Sequence, residues 1–433
     1  GDDEQLSFEH IPATKWNKDG KKMMGLFADY MRREGLSLSA NLGYCSAIKT
    51  HLLHKMENEL NEGMFPGGKG IWYTQLRSNI TKTYIEACSK SNTAVAEHAP
   101  QMTEEDLLLV VSVLIDTNDV YAVADRCVLV MQWYLLGRIS EMYNLSLRQL
   151  TYNPEVCAVV IKDFLRGKTS HVQNEIHVLI HRLHWQICPL HALASHIATW
   201  KTMETLFSEE VFTSNKTIGS HLNSLFNDFY TRVVNERNSE LGCVTPGLTS
   251  HSVRRGGLNK ANKHPGISLQ WLITRGGWAM EGLMTIFNYL TGTVETDLPV
   301  GRVLAGWPDP QRGGRIPQVT DLPIEDQPQF TSMVTTLFAG VDLTLAFKTM
   351  LTIVLVMPYG EYADNYCVKE RLDEAIQQGR KEEWDGKLTK WSESLRSTFD
   401  NLNGAYMPTN VLSKDAVLLA SDVHSVQTSI ATD

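Results

Sequence analysis

Hydrophobic residues recur with helical spacing from about Lys15 to Ser91. The segments MMGLFADYMRREGL and LGYCSAIKTHLLHKMENEL place apolar residues three and four positions apart, and the Gly/Pro-rich stretch MFPGGKG interrupts them. This pattern predicts a small all-helical domain over residues 1–95. The polar stretch SKSNTAVAEHAPQ that follows is typical of a linker.

A second pattern begins at MTEEDLLLVVSVL, where Thr103 is predicted to cap a helix with acidic residues in its first turn. The apolar run around Cys127 to Gly137 is only about half the length needed to cross a membrane, so it predicts a buried helix. The stretch VCAVVIKDFLRGKTSHVQNEIHVLIH alternates apolar residues on both sides of a Gly-Lys turn, which predicts strands. Helical patterns then continue to Tyr289. The predicted fold class is therefore mainly α with a small β-sheet, and the second domain spans residues 101–292.

The remaining chain divides into two segments by composition. Residues 293–330 are rich in Pro and Gly and predict an extended strap rather than a packed element. Residues 331–433 return to helical patterns and predict an acidic helical C-terminal extension. From Leu290 onward the chain has 12 basic and 20 acidic residues, whereas the part before it has 28 and 29.

The net charge of −9 argues against a polyanion as partner, but its distribution weakens that argument. Basic residues cluster in the first helical unit, where they indicate either a solvated helix face or a nucleic-acid contact. The first of these clusters consists of Lys15, Lys18, Lys21, Lys22, Arg32 and Arg33.

Cysteine and histidine spacing gives little sign of a metal site. The seven cysteines are scattered without a CxxC pair, which indicates neither a disulfide framework nor a zinc knuckle. Several histidines lie close together without a carboxylate or cysteine at ligand spacing, so zinc is disfavoured. These histidines are at positions 171, 177, 181, 184, 191 and 196. The sequence predicts neither a metal nor a cofactor.

The stretch SHSVRRGG concentrates hydrogen-bond donors on one turn of chain. His251 and Arg254 are three residues apart and share a face if the segment is helical, and Thr249 or Ser250 is suited to cap that helix. The two glycines that follow weaken a helix, so they indicate that something comes close to its backbone. A solvated helix start is the simpler interpretation of this stretch alone.

Two further stretches carry candidate chemistry. Arg138 follows the apolar run MQWYLLG, where a charged side chain needs a partner, either Glu141 in the same helix or an anion. Downstream, ITRGGWAMEGLMTIFNYLTG contains Trp278 and Tyr289, which in isolation would be assigned to the core.

Taken in order, the boxes GRISE, RGKTSHVQ, HSVRRGG, RGGW and FNYL resemble the catalytic domain of tyrosine recombinases. The resemblance covers about Met102 to Gly292. The helical unit before it resembles the core-binding domain with which this family clamps DNA. The stretches CPLHAL, HSVRRGGLNKA and GRVLAGW are most similar to the recombinases of Crypton-type eukaryotic DNA transposons.

The resemblance assigns catalytic roles to named residues. It makes Tyr289 the nucleophile that forms a 3'-phosphotyrosine link. Arg138 and Arg254 would bind the non-bridging phosphate oxygens, for which the guanidinium fork is well suited. His251 would form a hydrogen bond to the phosphate and assist the tyrosine, while Glu141 would orient an arginine or the histidine.

Protonation of the leaving 5'-oxygen is assigned to a lysine. Lys168 at the Gly-Lys turn matches the family's general acid, and Lys162 on the preceding strand is the alternative. Trp278 occupies the position where most relatives have a second histidine, and its indole can donate a hydrogen bond but cannot shuttle a proton. The interval from Trp278 to Tyr289 is about two residues longer than in the common family pattern.

The implied function is site-specific DNA recombination without metal or ATP. The implied partners are double-stranded DNA, as transposon ends and target, and three further copies of the chain in a tetramer on that DNA. The family resemblance places the protein in the nucleus and gives it no membrane partner. The alternative is a domesticated, non-catalytic DNA-binding protein that retains the fold.

Overall fold

The chain forms two compact units, residues 1–98 and 99–433, in a computed structural model. The structure describes residues 11–55, 71–91, 99–117, 119–164, 176–201, 204–207, 218–236, 245–278, 293–364, 366–377 and 386–404. Its described part is mainly helical with one three-stranded sheet, as the sequence predicts.

The first unit contains three helices, α1 (Ala13–Arg33), α2 (Leu38–Lys55) and α3 (Ile71–Ser91). Their apolar faces meet around the fully buried Trp16. The buried amide of Asn41 donates hydrogen bonds to the Ala28 carbonyl (2.7 Å) and to the Tyr84 hydroxyl (3.1 Å), so one side chain of α2 links both other helices. The described residues of this segment thus form three helices, whose positions agree with the helical spacing of the sequence.

The second unit opens with two helices that pack together, α4 (Glu104–Asp116) and α5 (Val120–Leu135). Thr103 caps α4 through a reciprocal pair of hydrogen bonds with Asp106, which confirms the predicted helix start. From Ala122 onward α5 is buried, as its continuous apolar run predicts. None of the helices in the described residues has both the length and the apolar character to span a membrane.

The sheet follows a short helix α6 (Ile139–Met142). Its strands β1 (Leu150–Asn153), β2 (Ala158–Lys162) and β3 (Ile176–Ile180) are antiparallel in the order β1-β2-β3. Strands β2 and β3 are the predicted pair, and β1 was not predicted. Lys162 lies opposite Ile176, so the Gly-Lys turn falls between two paired strands, although residues 165–175 are outside the described residues.

Nine further α-helices of the described residues complete this unit. They are α7 (Pro189–Thr199), α8 (Ile218–Glu236), α9 (Ser250–Asn262), α10 (Leu269–Gly276), α11 (Val294–Leu304), α12 (Gln327–Leu337), α13 (Leu345–Val356), α14 (Cys367–Ile376) and α15 (Lys387–Asn403). One continuous hydrophobic core runs from Met102 through Phe399. The helical C-terminal extension is therefore part of the same core as the predicted second domain.

A buried arginine joins this extension to the rest of the unit. Arg126 on α5 donates hydrogen bonds to the carbonyl of Trp185 (2.7 Å) and to the Tyr366 hydroxyl (3.2 Å). Its guanidinium also contacts Nδ1 of His191, whose Nε2 is 2.5 Å from the Tyr362 hydroxyl. Burial and the neighbouring guanidinium hold the pKa of His191 well below its usual value, so the ring is neutral. These polar contacts fix the extension against α5 and α7.

The predicted strap is wrong in its first part, because residues 294–304 form the packed helix α11. Asp297 in its first turn forms a buried ion pair with Arg275, and this long-range contact outweighs the helix-disfavouring Pro299. Beyond α11, the ring of Trp307 packs so closely on Gly314 that a Cβ added there would lie only 2.0 Å from it. One of the glycines that suggested an extended chain, Gly314, therefore accommodates a buried aromatic ring.

Candidate active site

Helix α9, which carries the SHSVRRGG stretch, lies directly against α5. Thr249 occupies its N-cap position. A Cβ added to Gly256 would lie 2.2 Å from the carbonyl oxygen of Met102 and 2.4 Å from the Trp133 ring, and one on Gly257 would lie 2.4 Å from the Trp133 carbonyl. The predicted close approach to these glycines is thus made by neighbouring backbone and a tryptophan.

One buried carboxylate lies between the two candidate arginines. Glu141, whose side chain is 1% exposed, accepts a hydrogen bond from Nη1 of Arg138 at 2.7 Å through Oε1. Its Oε2 accepts from the backbone N–H of Arg138 (2.7 Å) and lies 3.7 Å from Nη1 of Arg254. The predicted Arg138–Glu141 pair therefore exists, and it also gathers Arg254 from a helix more than 100 residues away in sequence. The carboxylate offsets the repulsion between two guanidinium groups that converge on it.

Arg254 is held by the RGGW stretch at the end of α10. Its Nη2 donates a hydrogen bond to the carbonyl of Gly276 (2.6 Å), and its guanidinium lies 4.5 Å from the centroid of the Trp278 ring. A Cβ on Gly276 would lie 1.7 Å from that ring, and Gly277 ends α10 in the left-handed conformation with φ 61°. Both glycines are required for Trp278 to cover Arg254.

The other predicted catalytic residues are His251, Tyr289 and the two alternative lysines. His251 is exposed in the first turn of α9, three residues before Arg254. Lys162, the alternative general acid, is exposed at the end of β2. Lys168 and Tyr289 lie outside the described residues. The structure therefore brings together Arg138, Glu141, Arg254 and Trp278, with His251 on the same helix as Arg254.

Two further arginines, Arg275 and Arg255, form hydrogen bonds within the second unit. Arg275 is fully buried, and its guanidinium donates hydrogen bonds to the carbonyls of Tyr134 (2.9 Å) and Val178 (3.1 Å) in addition to its pair with Asp297. Arg255 donates a hydrogen bond to the carbonyl of Ala99. These contacts give Arg275 a role in the fold.

Several of the clustered histidines are buried in the core. Burial lowers the pKa of His181 and of His196 to about 4 in each case. Within the described ranges, no group of three or more His, Cys, Asp or Glu side chains is arranged to hold a metal ion.

Two polar residues that support the site were missed at the level of sequence. Gln132 on α5 and Asn223 on α8 both form hydrogen bonds to the backbone of Ser250 at the start of α9. The position of Gln132 in the middle of the apolar run CVLVMQWYLL could have indicated its role, because a buried amide requires hydrogen-bond partners.

Comparison of the chain with protein-family models and with curated proteins finds no match.

Proposed function

We propose that this protein is a site-specific DNA strand-exchange enzyme of the tyrosine recombinase class, most similar to the recombinases of Crypton-type DNA transposons. It acts on transposon ends and target DNA, in the nucleus and as a homotetramer on DNA. The observation that carries this proposal is the convergence of Arg138 and Arg254 on one buried carboxylate.

Two guanidinium groups at one point suit phosphoryl transfer. The transition state of phosphodiester cleavage spreads negative charge over non-bridging oxygens, and arginine stabilises this charge without changing its own protonation state. Glu141 and the backbone of Gly276 hold both arginines in place before substrate arrives. The side chain of Arg138 remains 31% exposed, so a backbone phosphate can approach it from solvent.

In the proposed reaction, the phenol of Tyr289 gives its proton to His251 as its oxygen attacks the phosphorus, and the bond to the 5'-oxygen breaks. The leaving oxygen takes a proton from Lys168, or from Lys162 in the alternative, while the phosphotyrosine link conserves the energy of the broken bond. Reversal of these steps with a 5'-hydroxyl from another strand rejoins the DNA. No metal or nucleotide enters this scheme.

The end of β2 lies near the arginine cluster, which supports a role for the lysine-bearing hairpin. Phe164, two residues after Lys162, is buried, and its ring tip lies 3.6 Å from where a Cβ on Gly137 would be. Gly137 directly precedes Arg138. This juxtaposition connects the start of the hairpin turn with the start of the site.

The first unit supports the proposal of DNA binding through its exposed charge. Lys15, Lys18 and Lys22 are exposed along one side of α1, where their spacing of three and four residues aligns them. Such a row is suited to contacts with consecutive backbone phosphates.

Covalent trapping tests the proposal and separates it from the non-catalytic alternative. A bound duplex is first selected from a random-sequence library and mapped by footprinting, and a nick is then placed beside each candidate scissile phosphate so that cleavage releases a short fragment. We expect the wild type to form a covalent adduct that is stable to denaturing gels and Tyr289→Phe to bind the same duplex without forming it. Binding without an adduct at any nick position would favour the non-catalytic protein.

A further inference from the structure

One buried amide spans the gap between the two halves of the candidate site. Gln132 is 1% exposed near the end of α5. Its Nε2 donates hydrogen bonds to the carbonyl of Ser250 at 2.8 Å and to the carbonyl of Gly137 at 3.3 Å. These carbonyls belong to the peptide bonds that lead into His251 and Arg138.

Both of those peptide segments are fixed from two sides. The N–H of Arg138 donates to Glu141, while the carbonyl on the other side of the same peptide bond accepts from Gln132. The N–H of Ser250 donates to Oδ1 of Asn223 at 2.9 Å, while its carbonyl accepts from Gln132. Gln132 thus forms hydrogen bonds to both segments.

The contacts also fix how the amide is oriented. Two carbonyl oxygens face it, so the nitrogen must point toward them, because the amide oxygen would be repelled. Among the described residues, the oxygen of Gln132 is buried with no hydrogen-bond partner. The unsatisfied amide oxygen carries a desolvation cost that offsets much of what the two hydrogen bonds add to net stability. The structural contribution of Gln132 therefore lies in joining the two carbonyls.

We infer that Gln132 is a positioning residue that sets the separation of Arg138 from the α9 residues His251 and Arg254. This inference rests on the proposed function, since it concerns the geometry in which two guanidinium groups meet one phosphate. A shift of about 1 Å between such groups is enough to lower a reaction rate by about 100-fold.

Two substitutions at this position separate positioning from mere packing. Gln132→Met keeps the length and removes both N–H donors. Gln132→Glu places a carboxyl against two carbonyl oxygens, which together with burial raises its pKa, and only the protonated form can donate. Because the wild-type amide does not titrate, the rate of Gln132→Glu relative to wild type should rise as the pH falls. Gln270→Met is the matched control, since Gln270 is exposed on α10.

The experiment measures single-turnover adduct formation on the nicked duplex at saturating protein, together with the Kd for that duplex and amide hydrogen exchange. We expect Gln132→Met to cleave 10- to 100-fold more slowly with a Kd within about 3-fold of wild type. Gln132→Glu should recover several-fold relative to wild type between pH 8 and pH 6, and Gln270→Met should match wild type. Exchange should become faster around Arg138 and His251 in Gln132→Met and stay unchanged in Gln270→Met.

The outcomes distinguish this inference from the proposed function. If wild type forms an adduct and Gln132→Met does so within 2-fold, the inference is overturned and the proposed function stands. If Gln132→Met does not fold, the test rests on the cleavage rate of Gln132→Glu relative to wild type. A relative rate that does not rise between pH 8 and pH 6 overturns the inference. If wild type forms no adduct, the proposed function falls, and unchanged hydrogen exchange in Gln132→Met would then also remove the structural basis of the inference.

Discussion

The buried pair between Arg275 and Asp297 offers the sharpest test of how α11 is held. Replacing Asp297 by alanine leaves a fully buried guanidinium without its carboxylate. It also removes the acceptor of the Val178 backbone N–H, which donates to Asp297 Oδ2 at 2.6 Å on the edge of β3. One substitution therefore disturbs both the charge balance and the sheet edge.

The expected cost follows from these two losses. Breaking a buried ion pair on one side costs about 3–5 kcal/mol, and an orphaned buried N–H costs about 1–3 kcal/mol, although the two are not additive. We expect Asp297→Ala to lower the free energy of unfolding by about 4 kcal/mol. Asp297→Asn should cost about half as much, since its amide oxygen can still accept from Val178.

Urea denaturation followed by far-UV circular dichroism measures these differences, with Glu374→Ala as control. Glu374 pairs with Arg371 at 3.0 Å on the surface, where a lost pair costs at most about 1 kcal/mol. The double variant Arg275→Met with Asp297→Ala should recover part of the loss, because no uncompensated charge remains buried. A cost below 1 kcal/mol for Asp297→Ala, or a double variant no more stable than the single one, would refute this reasoning.

Three other predictions concern packing, acid sensitivity and DNA affinity. Gly256→Ala should destabilise the second unit by about 2 kcal/mol, because its Cβ would overlap the Met102 carbonyl. Gly25→Ala on α1 is the control: its Cβ meets nothing within 4 Å, and the substitution should stabilise the protein by up to about 1 kcal/mol. The midpoints of urea denaturation compare the two variants. Burial lowers the pKa of His181 to about 4, from an ordinary value of 6.5. Between these two values the unfolded chain binds a proton at this histidine and the folded chain does not, so the free energy of unfolding falls as the pH drops from 6.5 toward 4. His181→Phe should remove up to about 3 kcal/mol of that loss at pH 4, and an unchanged pH profile of the unfolding midpoint would contradict it. The third prediction concerns the exposed lysines Lys15, Lys18 and Lys22, each replaced by glutamine. The slope of log affinity for duplex DNA against log salt concentration should become shallower by about 2.7, as measured by fluorescence anisotropy. An unchanged slope would show that these lysines do not contact phosphates.

The sequence was sufficient where local patterns and long-range packing agree. The apolar run of α5, the cap at Thr103 and the strands on both sides of the Gly-Lys turn are visible as local patterns, and the structure has each of them. The grouping of Arg138 with Arg254 was expected only from the family resemblance, because no local pattern relates residues so far apart in sequence.

The sequence was insufficient where a distant contact decides the local conformation. Helix α11 forms in a Pro/Gly-rich segment because Asp297 meets a guanidinium from α10, and composition carries no record of that partner. Strand β1 has only four residues and depends on pairing with β2. Gln132 was recognisable as an unusual residue in an apolar run, but its two carbonyl partners follow only from the way α9 packs on α5.

The anchoring of α11 limits where the proposed nucleophile can travel. Tyr289 lies four residues before Thr293, the N-cap of α11, and four residues of fully extended chain cover about 14 Å at most. The chain length therefore keeps the backbone of this tyrosine within about 14 Å of the start of α11, a helix that is itself hydrogen-bonded to β3. In the proposed reaction, the scissile phosphodiester would therefore have to come within reach of this small volume.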